Sequence, residues 1–575
     1  MRQRATTPLA SKMYQLAWIV CMSIILIMLR LAQLQINLNH NLLRASQRNF
    51  LRTVQVTPLR GNIVDRKGKL LATNRPMVNL FWHGTGTRTL TVEHKQVLKQ
   101  LETILGVSLI ENEQILKDIS YAQRYHQEYL LARDISPVQL SQLAEQFPTQ
   151  TNLTLKTHFK RCYPHHKFAS HIVGYISTMG DQILGTMGLE KLLEAQLKGM
   201  QGKMLKKVNS LGRTLQEMEI EHALSGKEIK TTLDLDLQSI IEQVFPCDAR
   251  GTFILLDPQD GSILALLSRP SFDPSIFLEP LSKTQWLEIQ EQQPFLNRAF
   301  NSVYPLGSIF KLVTVSAALE HGLITTQTVW NCRGYYEFGR RKYWCNNRWG
   351  HGVVDTAQAV AHSCNPFFFD IARRLPIDTL ADYANRFGLG IKSNSIFSHK
   401  TALIPTRAWK REVKGEPWWP GETLSAVIGQ SYLQVTPIEV AIMISSIVTG
   451  YVVNWRVLCD EPIDTWPLAI QPETRQFLQR CMKDVVDHGS GQRVKRIKGI
   501  TMYAKTSTAQ VSALDKRDLD RHFLEHGWFA GYFSYEDKPP LTMVVLVENA
   551  GSARVAIDIA CAFLKEYKHL KQTQA

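Results

Sequence analysis

The sequence predicts an α+β fold in which one antiparallel sheet takes its strands from two distant parts of the chain. Two apolar runs, 253–256 and 263–267, flank a turn-forming sequence at 257–261, which is typical of a β-hairpin. Three more strand-like runs occur near the C-terminus, at 500–504, 528–533 and 541–547. Long helical patterns lie between the hairpin and these runs, so we expect a sheet built from both ends of the region and covered by a helical middle.

The length and composition limit the class of protein. A chain of 575 residues is too long for one ordinary core, so we expect two or more domains. Hydrophobic residues make up 44% and charged residues 20%, which are the proportions of a globular chain. The formal net charge of +15 suits an anionic envelope surface and equally nucleic acid. The sequence has no zinc-finger pair, P-loop or RNP-like aromatic motif, so we expect no nucleic-acid partner.

An apolar segment near the N-terminus predicts a membrane anchor. Residues 13–29 carry no charge, and Leu31 and Leu34 extend the segment past Arg30, whose side chain can reach the interface. The resulting span, 13–34, is just long enough to cross a bilayer. The alternative is a cleaved signal peptide, but no A-x-A-like cleavage site follows. Basic residues stand on both sides of the span, so the positive-inside rule leaves its orientation open.

The pattern of the chain predicts four parts. They are a tail at 1–12, the anchor at 13–34, an N-terminal region at 35–228 and a C-terminal domain at 229–575. In the N-terminal region we expect a helical stalk at 35–56, a strand and turn at 61–68, and helices across 90–150. The stretch 90–150 carries no chemical motif and is interpreted as a packing or interaction domain. Residues 229–236 are predicted to form the strand that enters the C-terminal domain.

A serine and a lysine at the start of a predicted helix form the first candidate site. Ser308 follows a Pro-Gly entry, and Lys311 lies one turn later on the same face. A serine hydroxyl needs an adjacent base to become a nucleophile, and a buried lysine with a lowered pKa can supply it. A single Ser-x-x-Lys match is often accidental, with the serine capping a helix and the lysine solvated.

A second motif, Ser363-Cys364-Asn365, could complete this site. In the functional interpretation Ser363 transfers a proton and Asn365 holds the substrate by hydrogen bonds. The alternative is structural, because Asn365 followed by Pro366 is also an ordinary helix start.

A third motif lies on the strand predicted from residue 500. An edge strand can pair with an extended peptide, so Ser507 and Thr508 are candidate substrate-binding residues. Lys505 and Thr506 are candidates for holding a terminal carboxylate. The backbone N–H groups of Ser308 and Thr508 are the candidate oxyanion hole.

The three motifs, in this order, resemble the signature set of penicillin-recognising serine enzymes. The resemblance to class B penicillin-binding proteins extends over four further segments, at 60–72, 161–175, 188–190 and 257–268. Within class B the sequence is most similar to the elongation-specific members, known as penicillin-binding protein 2. The residues that carry this similarity are at 350–352, 404–410, 418–423 and 428–438. Ser507 and Ser431 depart from the family, which usually has glycine at both positions.

The resemblance implies a fold and a place in the cell. The fold is a penicillin-binding transpeptidase domain, with a five-stranded antiparallel sheet, helices and an all-helical subdomain. A transmembrane helix and an extended N-terminal domain, here called the pedestal, precede it. The expected protein crosses the inner membrane once, with its catalytic domain on the periplasmic side. Its expected partners are a membrane glycosyltransferase of the SEDS family and the elongation complex.

The resemblance also implies a reaction. Ser308 attacks the penultimate D-alanine carbonyl of a donor stem peptide, with Lys311 as the base. The terminal D-alanine leaves, protonated through Ser363 or Lys505, and an amine of a neighbouring stem peptide resolves the acyl-enzyme into a cross-link. β-Lactams are expected to trap Ser308 as a stable adduct.

Several rival functions share the same motifs. They are a division-specific class B transpeptidase, a β-lactamase, a D,D-carboxypeptidase, a β-lactam sensor and a catalytically silent envelope protein. The anchor and long N-terminal region disfavour a plain hydrolase, a single span disfavours a sensor, and an intact Ser308 and Lys311 disfavour a silent member. Turnover of a β-lactam would favour the hydrolase.

Four residues in the middle of the C-terminal domain predict a structural zinc site. Cys332, Cys345, His351 and Cys364 supply three thiolates and one imidazole, a complete tetrahedral set. Some elongation-specific relatives are similar in having metal ligands around the Gly-His-Gly segment. The alternatives are a disulfide between Cys332 and Cys345, and plain buried thiols.

Overall fold

The computed structural model describes residues 8–37, 40, 42, 50–148, 152–179, 182–209, 214–279, 281–510 and 521–574. The chain separates into two compact units. The first contains residues 1–60, 74–160 and 198–226, and the second contains 61–73, 161–197 and 227–575. Most of the expected tail, 1–7, and most of the expected stalk between 38 and 49 lie outside the described residues.

The N-terminal helix Pro8–Ala32 continues into a π-helical turn, Gln33–Asn37. Within the described part of the chain, Ser11–Ile36 is the single helical stretch long and apolar enough to cross a membrane. The side chains of this stretch are exposed, as expected of a helix whose surroundings would be lipid. The finding is consistent with a single-pass membrane protein.

The strands of the whole chain are named here in chain order. They are β1 (Leu51–Val56), β2 (Ile63–Val64), β3 (Leu70–His83), β4 (Glu128–Ala132), β5 (Leu153–Cys162), β6 (Ile176–Met179), β7 (Gln182–Gly185), β8 (Gly202–Val208), β9 (Thr214–Glu221), β10 (Ile229–Lys230), β11 (Gly251–Leu256), β12 (Ile263–Arg269), β13 (Val329–Cys332), β14 (Tyr335–Phe338), β15 (Arg341–Trp344), β16 (Gly352–Asp355), β17 (Tyr451–Val453), β18 (Thr465–Pro467), β19 (Ile500–Ala509), β20 (His526–Tyr535) and β21 (Leu541–Val547).

After the N-terminal helix, the first unit combines three further helices with strands. The helices are Val92–Leu105, Glu113–Arg124 and Pro137–Gln146, and each begins at a polar cap, at Thr91, Asn112 and Ser136. The helices predicted across 90–150 are therefore confirmed, although β4 interrupts them. The helical prediction for the end of the stalk is wrong, because β1 pairs antiparallel with β8. That pairing joins segments about 150 residues apart, which local helix periodicity cannot reveal.

The second unit is built on a five-stranded antiparallel sheet. Its order is β12-β11-β21-β20-β19, so the predicted hairpin and the three predicted late strands form one sheet. Both faces of β11 are buried. Ile254 packs into a cluster with residues of the helix Pro437–Thr449, and Phe253 packs into another with the helices Leu235–Val244 and Arg554–Gln574. The strand β19 lies at one edge of the sheet.

Helices occur throughout the second unit, and those within residues 283–487 lie between the two halves of the sheet in the chain. The helices of the second unit are Ser170–Val173, Gly188–Leu192, Glu194–Leu197, Leu235–Val244, Lys283–Glu291, Arg298–Asn301, Lys311–Glu320, Thr356–Ala361, Asn365–Ala372, Ile377–Arg386, Arg407–Lys414, Pro420–Ala426, Pro437–Thr449, Pro472–Asp487 and Arg554–Gln574.

Two segments that precede the sheet in sequence belong to the second unit. One is fixed by Asp65, which is buried and accepts backbone N–H bonds from Lys67, Lys69 and Leu235. The other is fixed by Arg161, whose Nε donates to Glu190 Oε1 at 2.7 Å. Buried polar groups need such partners, which explains why these polar residues hold the segments in place.

The strand predicted at 229–236 is shorter than expected. Only β10, Ile229–Lys230, is extended, and it runs parallel to β2. The helix Leu235–Val244 begins where Asp234 accepts a hydrogen bond from the N–H of Asp236. The prediction was wrong after residue 230, because an aspartate cap ends the extended run.

Candidate active site

The nucleophile candidate lies in a tight turn at the start of a buried helix. Ser308 belongs to the 3₁₀ turn Gly307–Phe310, which leads into the helix Lys311–Glu320. Gly307 has a φ of +58°, and a Cβ at this position would lie 2.3 Å from Ser507 Oγ. Only glycine fits here without strain, and this allows the helix to approach the strand β19 closely.

The turn is also anchored from the neighbouring backbone. Gly307 N–H donates to the carbonyl of Gly429 at 2.8 Å. Trp528 Nε1 donates to the carbonyl of Pro305 at 3.2 Å, which ties the turn to the central sheet. Ser308 is therefore held on rigid elements, as a preorganised nucleophile requires.

Three side chains from two motifs form a continuous hydrogen-bonded chain. Ser363 Oγ donates to Ser308 Oγ at 2.8 Å, and Lys311 Nζ donates to Ser363 Oγ at 3.0 Å. Lys311 Nζ also donates to the carbonyl of Ser363 at 2.8 Å and to Asn365 Oδ1 at 2.7 Å. The first two predicted motifs are thus brought together, and the described contacts connect Lys311 to Ser308 through Ser363.

The environment of Lys311 increases the fraction of neutral amine. Its side chain is fully buried, and burial lowers its pKa to about 8. The Nζ lies 5.0 Å from the centre of the Phe368 ring. The sequence analysis did not single out Phe368, because an aromatic residue in an apolar helix gives no catalytic signal.

The loop that carries Ser363 has an unusual backbone. Ser363 has a φ of +57°, a conformation that a non-glycine residue adopts only under constraint. Asn365 then starts the helix Asn365–Ala372, and its Nδ2 donates to the carbonyl of Trp344 at 3.2 Å. Asn365 therefore does both things considered from the sequence: it starts a helix, and its side chain lies beside Lys311.

The third motif lies on β19, next to the nucleophile. Lys505 is buried and its Nζ donates to the carbonyl of Thr506 at 3.1 Å. Burial, and then the nearby charge of Lys311, lower the pKa of Lys505 well below its ordinary value. Thr506 Oγ1 is 2.5 Å from the hydroxyl of Ser490. Sequence reasoning missed Ser490, for which the only signal is its position between two glycines after a helix.

The two remaining residues of the third motif make different contacts. Ser507 is buried, and its Oγ accepts a hydrogen bond from the backbone N–H of Ser308 at 2.9 Å. Thr508 is exposed, and its Oγ1 accepts from the N–H of Ala553 at 3.1 Å. One predicted oxyanion-hole donor, the Ser308 N–H, therefore already has an acceptor.

The four predicted metal ligands also come together. One donor atom from each of Cys332, Cys345, His351 and Cys364 lies within 4.8 Å of all the others. Cys345 Sγ is 3.5 Å from His351 Nδ1. All nine cysteines of the chain are free thiols in this structure.

The pKa values of two of these thiols are shifted in opposite directions. The hydrogen bond with Cys364 lowers the pKa of the Cys345 thiol, and the same contact, together with burial, raises the pKa of the Cys364 thiol. A metal ion binds thiolates and would replace the proton of such a hydrogen bond. The donor set thus fits a soft tetrahedral metal, and Cys364 places it directly between Ser363 and Asn365 in the chain.

With this geometry, comparison with known proteins is informative. Residues 251–565, more than half of the chain, match the penicillin binding protein transpeptidase domain. The chain belongs to this family. Residues 55–231 match the penicillin-binding protein dimerisation domain. The α+β transpeptidase fold expected from the sequence is confirmed.

Relatives with assigned names are similar along most of the chain. The peptidoglycan D,D-transpeptidase MrdA of Haemophilus influenzae is 29% identical, over 88% of this chain and 83% of that protein. A chain from a structure titled "Structural coordination of polymerization and crosslinking by a peptidoglycan synthase complex" is 29% identical. It has a TM-score of 0.75 and coverage of 96% of this chain and 98% of that chain.

A third comparison concerns the fold alone. The penicillin-binding protein PBP2 of Helicobacter pylori, in a structure of its complex with MreC, is 24% identical to this chain. It has a TM-score of 0.76, with 91% of this chain and 99% of that chain covered. The similarity to penicillin-binding protein 2 expected from the sequence is thus confirmed.

Proposed function

We propose that this penicillin-binding transpeptidase is a peptidoglycan D,D-transpeptidase of cell elongation, which forms an acyl-enzyme at Ser308 with D-Ala-D-Ala stem peptides. The observation that carries the proposal is the chain of contacts from Lys311 through Ser363 to Ser308, on a turn held against β19. The names of the relatives, peptidoglycan D,D-transpeptidase MrdA, support the same reaction.

The contacts suggest a route for the proton in the acylation step. Ser308 Oγ forms a bond to the carbonyl carbon of the penultimate D-alanine, and its proton passes to Ser363 Oγ. This route requires the neutral form of Lys311, in which Nζ has a lone pair and both hydrogen bonds run in the opposite sense, from Ser308 Oγ to Ser363 Oγ and from Ser363 Oγ to Lys311 Nζ. Ser363 then passes its own proton to Lys311 Nζ, whose pKa burial lowers to about 8. In this route Lys311 is the base but acts through Ser363.

The second half of the step breaks the peptide bond to the terminal D-alanine. The leaving amine takes a proton either from Ser363, recharged by Lys311, or from Lys505. Lys505 and Thr506 are the proposed contacts of the terminal carboxylate. The amine of a second stem peptide then forms an amide bond to the acyl carbon, and the ester bond to Ser308 Oγ breaks. The proton lost by the amine returns to Ser308 Oγ through Lys311 and Ser363.

Labelling with a fluorescent penicillin tests the nucleophile. The wild-type protein should be labelled and Ser308→Ala should not, whereas Ser316→Ala, a buried serine further along the same helix, should retain labelling. Persistent labelling of Ser308→Ala would overturn the mechanism. Incubation with a D-Ala-D-Ala stem peptide, with and without an amine acceptor, then separates cross-linking from carboxypeptidase activity. Turnover of the penicillin would indicate a β-lactamase.

We also propose that the cysteine–histidine cluster binds one structural zinc ion. Cys332, Cys345, His351 and Cys364 would hold it, and bound zinc would neutralise the thiolates and cross-link the loop at Ser363 to β13 and the residue after β15. Metal analysis of protein purified without chelator should give about one zinc per chain. Non-reducing peptide mapping should find no bond between Cys332 and Cys345. A metal-free protein carrying that disulfide would refute the zinc site.

The proposed orientation places the catalytic domain, 229–575, in the periplasm and residues 1–12 in the cytoplasm, with the pedestal at 35–228. The chemistry supports this arrangement, because peptidoglycan lies outside the membrane. Cys247 and Cys459, which are exposed, provide a test. A membrane-impermeant maleimide added to intact spheroplasts should label them. Protection until the membrane is broken would reverse the orientation.

The proposed partner is a membrane glycosyltransferase of the SEDS family, within an elongation complex. Structures of similar chains in a peptidoglycan synthase complex and with MreC support such an assembly. The surface tested is the helical stretch 90–150 of the first unit. A protein that lacks 90–150 but retains penicillin labelling should lose co-purification with the glycosyltransferase. Unchanged co-purification would exclude this stretch as the docking surface.

A further inference from the structure

The hairpin formed by β14 and β15 carries a concentrated positive charge. Between residues 333 and 349 there are five basic residues and one acidic residue, Glu337. The five basic residues are all exposed: Arg333, Arg340, Arg341, Lys342 and Arg348. Glu337 is 3.7 Å from Lys342, so it offsets only one of these charges. This basic hairpin is defined here as residues 333–349.

The basic hairpin also presents aromatic rings to solvent. Trp349 is 95% exposed and Trp344 is 46% exposed. Arg348 lies over the Trp344 ring at 5.1 Å, and Lys342 lies over the Tyr335 ring at 4.4 Å. Exposed tryptophans beside an excess of positive charge contribute little to folding, so their position is better explained by a ligand that is both anionic and rich in C–H surfaces.

The hairpin is continuous with the active site. Trp344 accepts, through its carbonyl, the hydrogen bond from Asn365 Nδ2, and Asn346 Nδ2 donates to the carbonyl of His362 at 3.1 Å. The hairpin therefore touches the loop that carries Ser363 from both sides of Cys345. A ligand on its surface would lie beside the acyl group on Ser308.

We propose that the basic hairpin is a subsite for the peptidoglycan strand, in which Trp344 and Trp349 stack on sugar rings and the arginines bind stem-peptide carboxylates. The inference rests on the proposed transpeptidase function, which requires a second strand to reach the acyl-enzyme. Arginine suits this role, because its planar guanidinium pairs with carboxylates in a bidentate manner. An exposed single pair is weak, so the affinity would come from several pairs along one polymer.

The subsite has a specific consequence for the reaction. Penicillin and short donor peptides acylate Ser308 without reaching the hairpin, so their rates do not depend on it. Resolution of the acyl-enzyme by a strand-bound amine does depend on it, because the hairpin raises the local concentration of the acceptor. Changes in the hairpin should therefore alter the cross-linking rate and leave the acylation rate unchanged.

Two full-length variants test the subsite. One is Arg340→Gln/Arg341→Gln, at the tip of the hairpin, and the other is Trp349→Ala. The matched control is Lys392→Gln/Lys565→Gln, which removes two exposed charges elsewhere in the second unit. Retention of the detergent-solubilised proteins on purified sacculi should fall at least about fivefold for both hairpin variants and not for the control. Fluorescent penicillin should acylate all four proteins at the same rate.

The ligand chemistry is tested in the same assay. The wild type is also tested on sacculi whose carboxylates have been converted to amides. Its retention there should be as low as the retention of Arg340→Gln/Arg341→Gln on native sacculi. Unchanged retention of the hairpin variants, or of the wild type on amidated sacculi, would overturn the proposal. Displacement by an oligonucleotide as effective as displacement by soluble peptidoglycan fragments would show a general polyanion surface instead. The proposed mechanism can fail separately. If the hairpin variants lose retention on sacculi and Ser308→Ala is still labelled by penicillin, the subsite stands and the proposed acylation mechanism is refuted.

A separate observation concerns the oxyanion hole. The Ser308 N–H, the donor expected to stabilise the acylation transition state, is bonded to Ser507 Oγ at 2.9 Å. Ser507 is buried, and its hydroxyl lies so close to Gly307 that a Cβ there would be 2.3 Å from Ser507 Oγ. A substrate carbonyl that takes this N–H must displace the hydroxyl first.

We propose that Ser507 is a positioning residue that slows acylation by occupying the Ser308 N–H. Its removal should accelerate the chemical step without strengthening the initial binding of the ligand. The expected gain is about fivefold, equivalent to one neutral hydrogen bond of about 1 kcal/mol.

Stopped-flow acylation by a fluorescent penicillin separates the two quantities. Ser507→Ala and Ser507→Gly should both raise the acylation rate constant and leave the dissociation constant of the first complex unchanged. Ser507→Thr, which keeps the hydroxyl, should stay near the wild-type rate. A rate that falls or stays constant in Ser507→Ala would overturn the proposal. If the acylation rate constant rises only in Ser507→Gly, the Cβ of Ser507 causes the effect, and the proposed role of the hydroxyl is also rejected.

Discussion

Lys311 and Arg161 are both basic side chains buried in the second unit, but their partners differ. Arg161 is 1% exposed and pairs with Glu190, a carboxylate with no exposed surface. The hydrogen-bond acceptors of Lys311 are the neutral oxygens of Ser363 and Asn365. A buried charge is tolerated when it is paired, whereas an amine with neutral partners tends to lose its proton.

The difference separates a structural cation from a reactive amine. Arg161 stays charged and fixes a segment that lies far from the sheet in sequence. Lys311 has its pKa lowered to about 8 by burial, at a cost to stability and with a larger fraction of unprotonated amine near neutral pH. Substitution at these positions should therefore affect different properties, which the following predictions test in order of effect.

The largest effect is expected for Lys311→Met, which keeps an unbranched side chain as far as the ε carbon but removes the amine. Acylation by penicillin should fall by about a thousandfold, the usual contribution of a general base. The melting temperature should stay the same or rise, because a desolvated amine is removed. A variant that melts well below the wild type would show that Lys311 is a structural cation like Arg161. Lys392→Met, at an exposed site, is the control.

Glu190→Gln should produce the opposite result. The change leaves Arg161 buried without a carboxylate, and breaking such a pair costs about 3 to 5 kcal/mol of the free energy of unfolding. The fraction that remains folded should acylate at the wild-type rate. Denaturant unfolding measures the free energy of unfolding. Active-site titration with penicillin gives the concentration of folded protein, to which the acylation rate is normalised. Normal stability with lost activity would contradict the comparison.

The pH dependence is expected to be moderate in size. Below about 8 the neutral fraction of Lys311 falls, so the acylation rate should decrease about tenfold per pH unit and level off above 8. The sign for stability is also fixed. The pKa of Lys311 is lower in the folded state than in the unfolded state. The destabilisation caused by burying its protonated amine is therefore fully present below pH 8 and disappears as the pH rises toward 10.5. The stability gained in Lys311→Met should therefore shrink over that range. A flat rate profile between 6 and 8 would exclude Lys311 as the base.

Glu422→Gln should give the smallest effect. Lys410 is buried and its Nζ lies 2.5 Å from Glu422 Oε1, but Glu422 is 21% exposed and Glu416 Oε2 lies 3.6 Å from the same Nζ. A second carboxylate and nearby water reduce the loss to about 1 kcal/mol. The melting temperatures of Glu422→Gln and Glu190→Gln, each measured against the wild type, provide the comparison. A loss as large as that of Glu190→Gln would show that burial of the cation alone sets the cost.

Much of the fold could be predicted because its signals are local. The hairpin at β11 and β12 follows from two apolar runs around a turn, and β21 was predicted at its observed bounds. The end of the stalk could not be predicted, because β1 is extended only through its pairing with β8. The site followed the same rule. Each motif is short, but Ser490 reaches Thr506, 16 residues later, only because the helix Pro472–Asp487 packs against β19.

The sequence by itself determined the long apolar N-terminal helix, the strands of the central sheet and the three motifs, because each depends on residues within a few positions of one another. The tertiary structure decided which atoms meet: that Lys311 reaches Ser308 through Ser363, that Ser507 occupies the Ser308 N–H, and that four distant donors converge around Cys364. It also decided that 61–73 and 161–197 belong with the sheet. These contacts join residues dozens to hundreds of positions apart, and only close packing of the folded chain fixes such distances.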